Sequence, residues 1–137
     1  MRMPRRSNTV RSAARSLAVC KHYYDWDWEG AENNHKKAVE LSPNSATVHQ
    51  WYGEFLTLMG RSDEADKEIK RAHELDPLSL IINVVIAWRY YLSRDYDQAI
   101  EQCKKTLEMD PDFLPAHTYL MRCYASRKMY AEALKEA

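Results

Sequence analysis

Residues 74–77 read Glu-Leu-Asp-Pro, and closely related stretches stand at the same distance before and after them. Residues 40–43 read Glu-Leu-Ser-Pro and residues 108–111 read Glu-Met-Asp-Pro, so three prolines share one spacing in a chain of 137 residues. A fixed period of this kind is typical of arrays of small units that bury their apolar faces against their neighbours. The period therefore predicts a repeat protein.

Other residue types recur at fixed positions when each repeat is numbered from its proline. The chain then divides into repeats 12–45, 46–79 and 80–113 and a shorter fourth repeat, 114–137. Two positions hold small residues throughout. Helices joined by a short turn approach closely only where side chains are small, so these positions predict the seam of a helix pair. They are occupied by Ala31, Ala65, Ala99 and Ala133, and by Ala38, Ala72 and Thr106.

Two apolar patterns of helical period lie between consecutive prolines, which predicts two helices in each repeat. Gly60 is expected to end the first helix of the second repeat, and Asp95 with Gln98 is typical of a capping box that starts a second helix. Proline ends each pair, because it lacks an N–H group and disfavours helical geometry in the residue before it. The predicted fold class is therefore all-α, built from antiparallel helix pairs.

The period, the small residues and the Asp-Pro ending together resemble the tetratricopeptide repeat. Residues 51–53, 60–65, 94–100 and 128–133 carry the resemblance, which covers residues 12–137. It implies an α-solenoid that forms a right-handed superhelix, with about three full 34-residue repeats and an incomplete fourth. Two positions depart from the family. At one of them only Gly53 is a glycine, and the other repeats have Val19, Ala87 and Met121. At the other position the family usually has tryptophan. This chain has Arg15, His49, Asn83 and His117.

Charge is distributed unevenly along a chain with 20 basic and 20 acidic residues. Six basic residues precede the first acid, Asp25, which leaves 14 basic residues against 20 acidic ones in the remainder. We interpret residues 1–11 as a basic arm without fixed structure, followed by a repeat domain over residues 12–137. A transit peptide and a phosphate-binding arm are weaker alternatives, since residues 12–24 are needed for the first helix and no aromatic residues alternate with the arginines.

Several classes of function lack the residues that they require. The chain has no His-Glu-x-x-His, no Cys-x-x-Cys and no glycine-rich phosphate loop, so we expect no metal, no cofactor and no enzymatic activity. The most apolar run, residues 78–88, is far shorter than the ~20 residues that cross a bilayer, so we expect no membrane segment. We also expect no nucleic-acid partner. Three scattered cysteines are typical of reduced thiols in a cytoplasmic protein: Cys20, Cys103 and Cys123.

The resemblance implies that the first helix of each repeat lines an inner wall where ligands bind. The third repeat places a row of apolar and aromatic residues on that wall, and a contiguous apolar patch on a wet face indicates a binding surface. We predict a peptide-binding groove with aromatic anchors. Its residues are Tyr23, Tyr24, Gln50, Glu54, Thr57, Ile81, Val84, Trp88, Tyr91, Thr118 and Arg122.

An alternative interpretation is that neighbouring helices or another copy of the chain cover Ile81, Val84 and Trp88. One ligand class is not expected. Relatives that clasp the carboxylate end of a chain carry lysine and asparagine in the first repeat, where this chain has Ser16 and Cys20.

Two functions are consistent with these patterns. The first is a non-catalytic scaffold that binds a protein or peptide partner in the groove. The second is a self-assembling, dimeric or helix-exchanged module, because Ala137 falls within the second helix of the fourth repeat. A shortened helix is expected to leave the apolar side of Tyr119, Leu120, Cys123 and Tyr124 partly open, for another molecule to cover. A looser resemblance, carried by residues 23–28 and 76–80, is to the repeat regions of bacterial winged-helix regulators and nucleotide cyclases. It implies a sensor or recruitment part of a larger bacterial regulator.

Overall fold

The computed structural model describes residues 27–137, and within them the chain is helical and has no strand. The all-α fold class is confirmed for this part of the chain. The predicted basic arm, the predicted first helix of the first repeat, the clasp positions and the groove residues Tyr23 and Tyr24 lie outside the described residues. The helices are α1 (Trp28–Leu41), α2 (Ala46–Leu58), α3 (Ser62–Leu75), α4 (Leu80–Leu92), α5 (Tyr96–Met109), α6 (Leu114–Ser126) and α7 (Tyr130–Lys135).

The chain divides within α1 into two units, Met1–Asn34 and His35–Ala137. Helices α2 to α7 belong to the larger unit, and the packing described below lies within it. None of the helices in residues 27–137 combines the length and the apolar character needed to cross a membrane.

Helices α2 to α7 form three consecutive antiparallel pairs with the period of the sequence. The helices of each pair pack against one another, and α5 also packs against α6 of the next pair. Each first helix begins one full period after the one before, and so does each second helix. These starts are Ala46, Leu80 and Leu114 for the first helices and Ser62, Tyr96 and Tyr130 for the second. The helix-pair solenoid predicted from the prolines is confirmed.

Small residues form the seams between the helices, as the sequence predicts. Ala65, Ala72, Ala99 and Thr106 have no exposed surface, and Ala133 is 7% exposed. Gly53 extends the same rule to the α2–α3 pair, because a Cβ atom at this position would lie 2.4 Å from Cδ1 of Ile69. Close approach of the helices therefore depends on residues that have almost no side chain.

The turn inside each pair has the same backbone geometry in all three repeats. Gly60, Arg94 and Lys128 follow the first helices and have positive φ angles of 74°, 59° and 60°. In the first of these turns, the N–H of Gly60 donates to the carbonyl of Thr57 and the N–H of Arg61 donates to the carbonyl of Leu56. This is a Schellman motif, and equivalent hydrogen bonds form after α4 and α6. The predicted stop at Gly60 is confirmed.

Side chains cap several helix starts. Ser45 and Ser79 accept hydrogen bonds from the first turns of α2 and α4. Asp95 accepts from the N–H of Gln98 at 3.4 Å, so half of the predicted capping box forms. The reciprocal bond does not form, because the N–H of Asp95 already donates to the carbonyl of Tyr90 in the preceding turn.

Candidate functional site

The candidate site lies on one face of the larger unit, where three first helices lie side by side. Helix α4 packs against α2 on one side and against α6 on the other. We call the surface of these three helices the first-helix face. Glu54, Trp88 and Arg122 occupy the same position in successive repeats, so they form a row across this face.

Aromatic side chains connect two of the predicted groove residues. The ring centroids of Tyr91 on α4 and Tyr119 on α6 are 6.3 Å apart, and the Tyr91 ring also lies 5.7 Å from that of Tyr96. The guanidinium carbon of Arg122 lies 5.4 Å from the centroid of the Tyr119 ring, within cation–π range. The structure therefore brings Tyr91 and Arg122 together through Tyr119.

Sequence reasoning did not assign Tyr119 to the groove. A signal was available, since Trp51 stands at the equivalent position of the second repeat and is 57% exposed. The third repeat has the buried Val85 at this position, so two of the three repeats carry an aromatic ring there with exposed surface.

The predicted groove residues differ in how much surface they offer. Ile81 is 47% exposed. Trp88, Tyr91, Thr118 and Glu54 are half-buried, and Arg122 is exposed.

Two predicted groove residues are buried, although a residue that contacts a ligand needs exposed surface. Gln50 is 8% exposed and Val84 is 7% exposed. They share one position of the repeat, and each lies on a helix that has a following first helix packed against it. Thr118 stands at the same position on α6, where no first helix follows within residues 27–137, and it is half-buried. Val84 therefore fits the alternative in which neighbouring helices cover it.

The hydroxyl of Thr57, a half-buried residue of the predicted groove, connects two repeats. It donates to the carbonyl of Gly53 at 2.7 Å and accepts from the guanidinium of Arg89 on α4. The same guanidinium donates to the carbonyl of Ser62 and to the carboxylate of Asp66. The Arg89 side chain is only 11% exposed, so this contact is part of the packing between the second and third repeats.

Glu54 remains on the face with its carboxylate held in place. The amide of Gln50, one helical turn earlier, donates to Oε1 of Glu54 at 2.8 Å. A neutral amide leaves the negative charge of the carboxylate uncompensated. Glu54 therefore presents an oriented acidic group at one end of the row.

A second set of polar residues ties each first helix to the turn before it and to its partner helix. In the second repeat, Nε2 of His49 lies 2.8 Å from the carbonyl oxygen of Pro43, and Nδ1 lies 2.6 Å from Oε2 of Glu68. In the fourth repeat, His117 contacts the carbonyl of Pro111 at 2.7 Å and Glu136 at 2.5 Å. We call this arrangement the turn latch.

The third repeat builds the same latch from neutral residues. The amide nitrogen of Asn83 donates to the carbonyl of Pro77 at 3.0 Å, and its oxygen accepts from the amide of Gln102 at 2.7 Å. Asn83 and Gln102 stand one full period after His49 and Glu68. Both partners of the pair change together, so the hydrogen-bond pattern is kept while the charge is lost.

The latch raises the pKa of one histidine. The carbonyl of Pro111 and the carboxylate of Glu136 both accept from the His117 ring, which favours its protonated form and raises the pKa of His117 above its ordinary value. Burial has the opposite effect on His35, whose pKa is lowered where its ring packs 5.0 Å from Phe55 and 5.7 Å from Tyr52.

Two buried cysteines lie between α5 and α6, away from the first-helix face. Cys103 and Cys123 are free thiols without exposed surface. Burial raises the pKa of Cys103 to about 12 and that of Cys123 to about 11. Thiols of this kind stay protonated at neutral pH, so their part in the fold is packing.

A cleft of about 510 Å³ opens between α3 and α4. It is lined by apolar residues such as Ile69 and Ile86 and by charged or polar residues such as Lys70, His73 and Tyr90. None of the predicted groove residues contributes to it. The cleft and the first-helix face are therefore separate surfaces.

Comparison with known proteins agrees with this geometry. Residues 90–137 match the family model of the tetratricopeptide repeat. A search of curated proteins found no match. Helices α2 and α3, which precede the matched residues, form a pair with the same arrangement.

Solved structures with this fold include two crystal structures of MamA. One is 19% identical to the chain with a TM-score of 0.66, over 85% of this chain and 68% of that one. The other is 23% identical with a TM-score of 0.68, over 84% of this chain and 63% of that one. The chain thus spans only about two thirds of these MamA chains. The tetratricopeptide-repeat domain of Arabidopsis OM64 is 17% identical with a TM-score of 0.61, over 67% of this chain and 76% of that domain.

Proposed function

We propose that this chain is a non-catalytic protein-interaction scaffold that binds a peptide segment of its partner on the first-helix face. The observation that carries the proposal is the set of half-buried aromatic residues on α4 and α6, namely Trp88 and the contacting rings of Tyr91 and Tyr119. Half-buried aromatic rings in fixed positions are the usual anchors of peptide recognition, because they bury a large area and lose little conformational freedom.

The match of residues 90–137 to the tetratricopeptide repeat supports the scaffold function, and the surroundings of the histidine and cysteine side chains support a non-catalytic one. The histidines His49 and His117 have both ring nitrogens bonded to protein groups, and the two described cysteines are buried. These free thiols are consistent with our proposal that the protein works in the reducing cytoplasm.

The proposal is tested by removing the anchors. The double variant Trp88→Ala with Tyr91→Ala should lose capture of partner proteins from a cell lysate, read by identification of the retained peptides, while its far-ultraviolet circular dichroism stays helical. Tyr90→Ala is the matched control, since Tyr90 adjoins Tyr91 in sequence but lines the α3–α4 cleft. Unchanged capture by the double variant, or equal loss in the control, contradicts the assignment of the face.

Self-assembly is the second candidate function. The apolar side expected to be open is largely covered, since Leu120, Cys123 and Tyr124 are buried. Leu114 on α6 and Leu134 on α7 are 72% and 76% exposed, so the fourth repeat still presents apolar side chains that a second copy of the chain can cover. A dimer of this kind suits a sensor or recruitment module of a larger regulator. Light scattering over a concentration series tests it: a strict monomer rules it out, and a dimer that dissociates on Leu134→Glu substitution supports it.

A further inference from the structure

The row of residues across the first-helix face has opposite charges at its two ends. Glu54 on α2 is acidic, Trp88 on α4 is aromatic, and Arg122 on α6 is basic, all at the same position of their repeats. Helix α4 lies between α2 and α6, so the apolar anchor stands between the two charges.

Both charged groups are available to a ligand. The carboxylate of Glu54 is contacted by the neutral amide of Gln50 at 2.8 Å, and its charge is not neutralised by that contact. Arg122 is exposed, and its guanidinium lies against the ring of Tyr119. No carboxylate within residues 27–137 pairs with Arg122, whereas Arg89 and Arg127 are bonded to Asp66 and Asp97.

We propose that the partner segment is a bipolar peptide, with a basic residue that meets Glu54, an apolar or aromatic residue against Trp88, and an acidic residue that meets Arg122. This inference rests on the proposed function, since it assigns the chemistry of the ligand to the same face. Charge complementarity of this kind selects partners and their register more than it adds affinity.

The helix packing sets the spacing of the two charges along the peptide. Packed helices lie roughly 8–10 Å apart, so the rows of Glu54 and Arg122 are separated by roughly 16–20 Å. An extended chain advances ~3.3 Å per residue. The basic and acidic residues of the ligand are therefore about five or six positions apart.

The experiment uses the full chain and four synthetic peptide pools of about ten residues with a mixed apolar and aromatic core. One pool carries lysine at one end of the core and aspartate at the other, in both orders. The second carries two lysines, the third two aspartates, and the fourth two alanines. Binding is measured by fluorescence anisotropy of a label on each pool.

A bipolar peptide has two ends that complement Glu54 and Arg122, whereas a uniformly charged peptide has one. The wild-type chain should therefore bind the bipolar pool about two- to fivefold more tightly than either uniformly charged pool. Arg122→Glu makes both ends acidic and should transfer the preference to the two-lysine pool. Glu54→Lys makes both ends basic and should transfer it to the two-aspartate pool. Bipolar peptides in which a single residue separates the lysine from the aspartate should lose this advantage.

Matched controls change the net charge by the same amount away from the face. Lys104→Glu and Glu108→Lys lie at exposed positions of α5 and should leave the preference for the bipolar pool unchanged. A shift of preference in these controls equal to that in the Arg122 and Glu54 variants overturns the proposal, because it means that net charge decides binding.

Two outcomes separate this inference from the proposed function. If all four pools bind equally and binding is lost with Trp88→Ala and Tyr91→Ala, the face binds peptides but the bipolar ligand is wrong. If no pool binds while partner capture from lysate still depends on Trp88, the bipolar peptide is again wrong and the scaffold function stands.

Discussion

The second and third repeats have the same backbone plan but different chemistry at equivalent positions. The latch of the second repeat is His49 with Glu68, and that of the third is Asn83 with Gln102. The turn after α2 contains Gly60, and the turn after α4 contains Arg94 with nearly the same positive φ. The comparison shows that the fold constrains hydrogen-bond pattern and backbone angle, and leaves charge and side-chain size free to change.

Loss of one latch residue should have the largest effect on stability. His49→Ala removes the donor to the Pro43 carbonyl and leaves Glu68, which is 22% exposed, without its bonded partner. Removal of one partner from such a contact costs about 1–3 kcal/mol of unfolding free energy. Urea denaturation followed by circular dichroism measures it, with His73→Ala in the α3–α4 cleft as the control. Equal losses in both variants would refute a special role for the latch.

Transplanting the latch of the third repeat into the second sharpens the comparison. His49→Asn and Glu68→Gln each disturb the pair when made alone, but together they reproduce the chemistry of Asn83 and Gln102. We expect the double variant to recover about 1 kcal/mol relative to the sum of the single variants. A double-mutant cycle by urea denaturation measures this coupling. Strict additivity would show that the two latches are not interchangeable.

A substitution in one of the turns should raise the unfolding free energy, by an amount similar to or smaller than the changes predicted for the latch. Arg94→Gly should stabilise the chain by about 0.5–1 kcal/mol, because residues with a Cβ atom pay a steric cost in the left-handed region that glycine does not. Gly60→Ala in the second repeat should destabilise by a comparable amount, although space is open around Gly60. Thermal unfolding of both variants checks the pair, and a loss of stability in the Arg94 variant contradicts it.

The fourth repeat extends the comparison to pH, where we predict only a direction. The pKa of His117 is raised above 6.5 in the folded chain, so the folded state holds more protons than the unfolded state above that pH. The stability that this group contributes is complete below pH 6.5 and is lost as the pH rises through the folded pKa. Glu136 and Asp112 are the charged groups that act on the ring in the same direction.

The measurement compares unfolding midpoints at about pH 6.5 and about pH 8. The wild-type chain should lose more stability over this interval than a variant with His117→Asn and Glu136→Gln. His35, whose pKa is lowered, contributes in the opposite direction, and its contribution cancels because it is present in both proteins. Equal losses in the two proteins would show that the latch does not contribute to the pH dependence of stability.

Much of the fold could be predicted from the sequence, because it depends on the local steric properties of single residues. The prolines end the helix pairs, the alanines mark the seams, and Gly60 stops a helix, because each of these residue types has one dominant steric property. Arg94 and Lys128 could not be predicted as left-handed residues, since nothing in their side chains favours that conformation and the surrounding turn imposes it.

The sequence could not predict how much surface each candidate site residue exposes, because that depends on contacts between repeats. Trp88, Tyr91 and Arg122 offer surface on the first-helix face, but the burial of Gln50 and Val84 comes from the neighbouring helices, and Thr57 is engaged by Arg89 from the next repeat. The latch was missed because its family position suggested packing residues. The exchange of His–Glu for Asn–Gln at one spacing was the signal in the sequence.

The most direct test of the proposed binding face observes Trp88 itself. In a variant whose other tryptophans, Trp26, Trp28 and Trp51, are replaced by phenylalanine, Trp88 is the single emitter. Titration with the bipolar peptide pool should shift its emission to shorter wavelength in a saturable way, as the peptide covers the half-buried ring. Binding seen by anisotropy without any change in Trp88 emission would contradict the account.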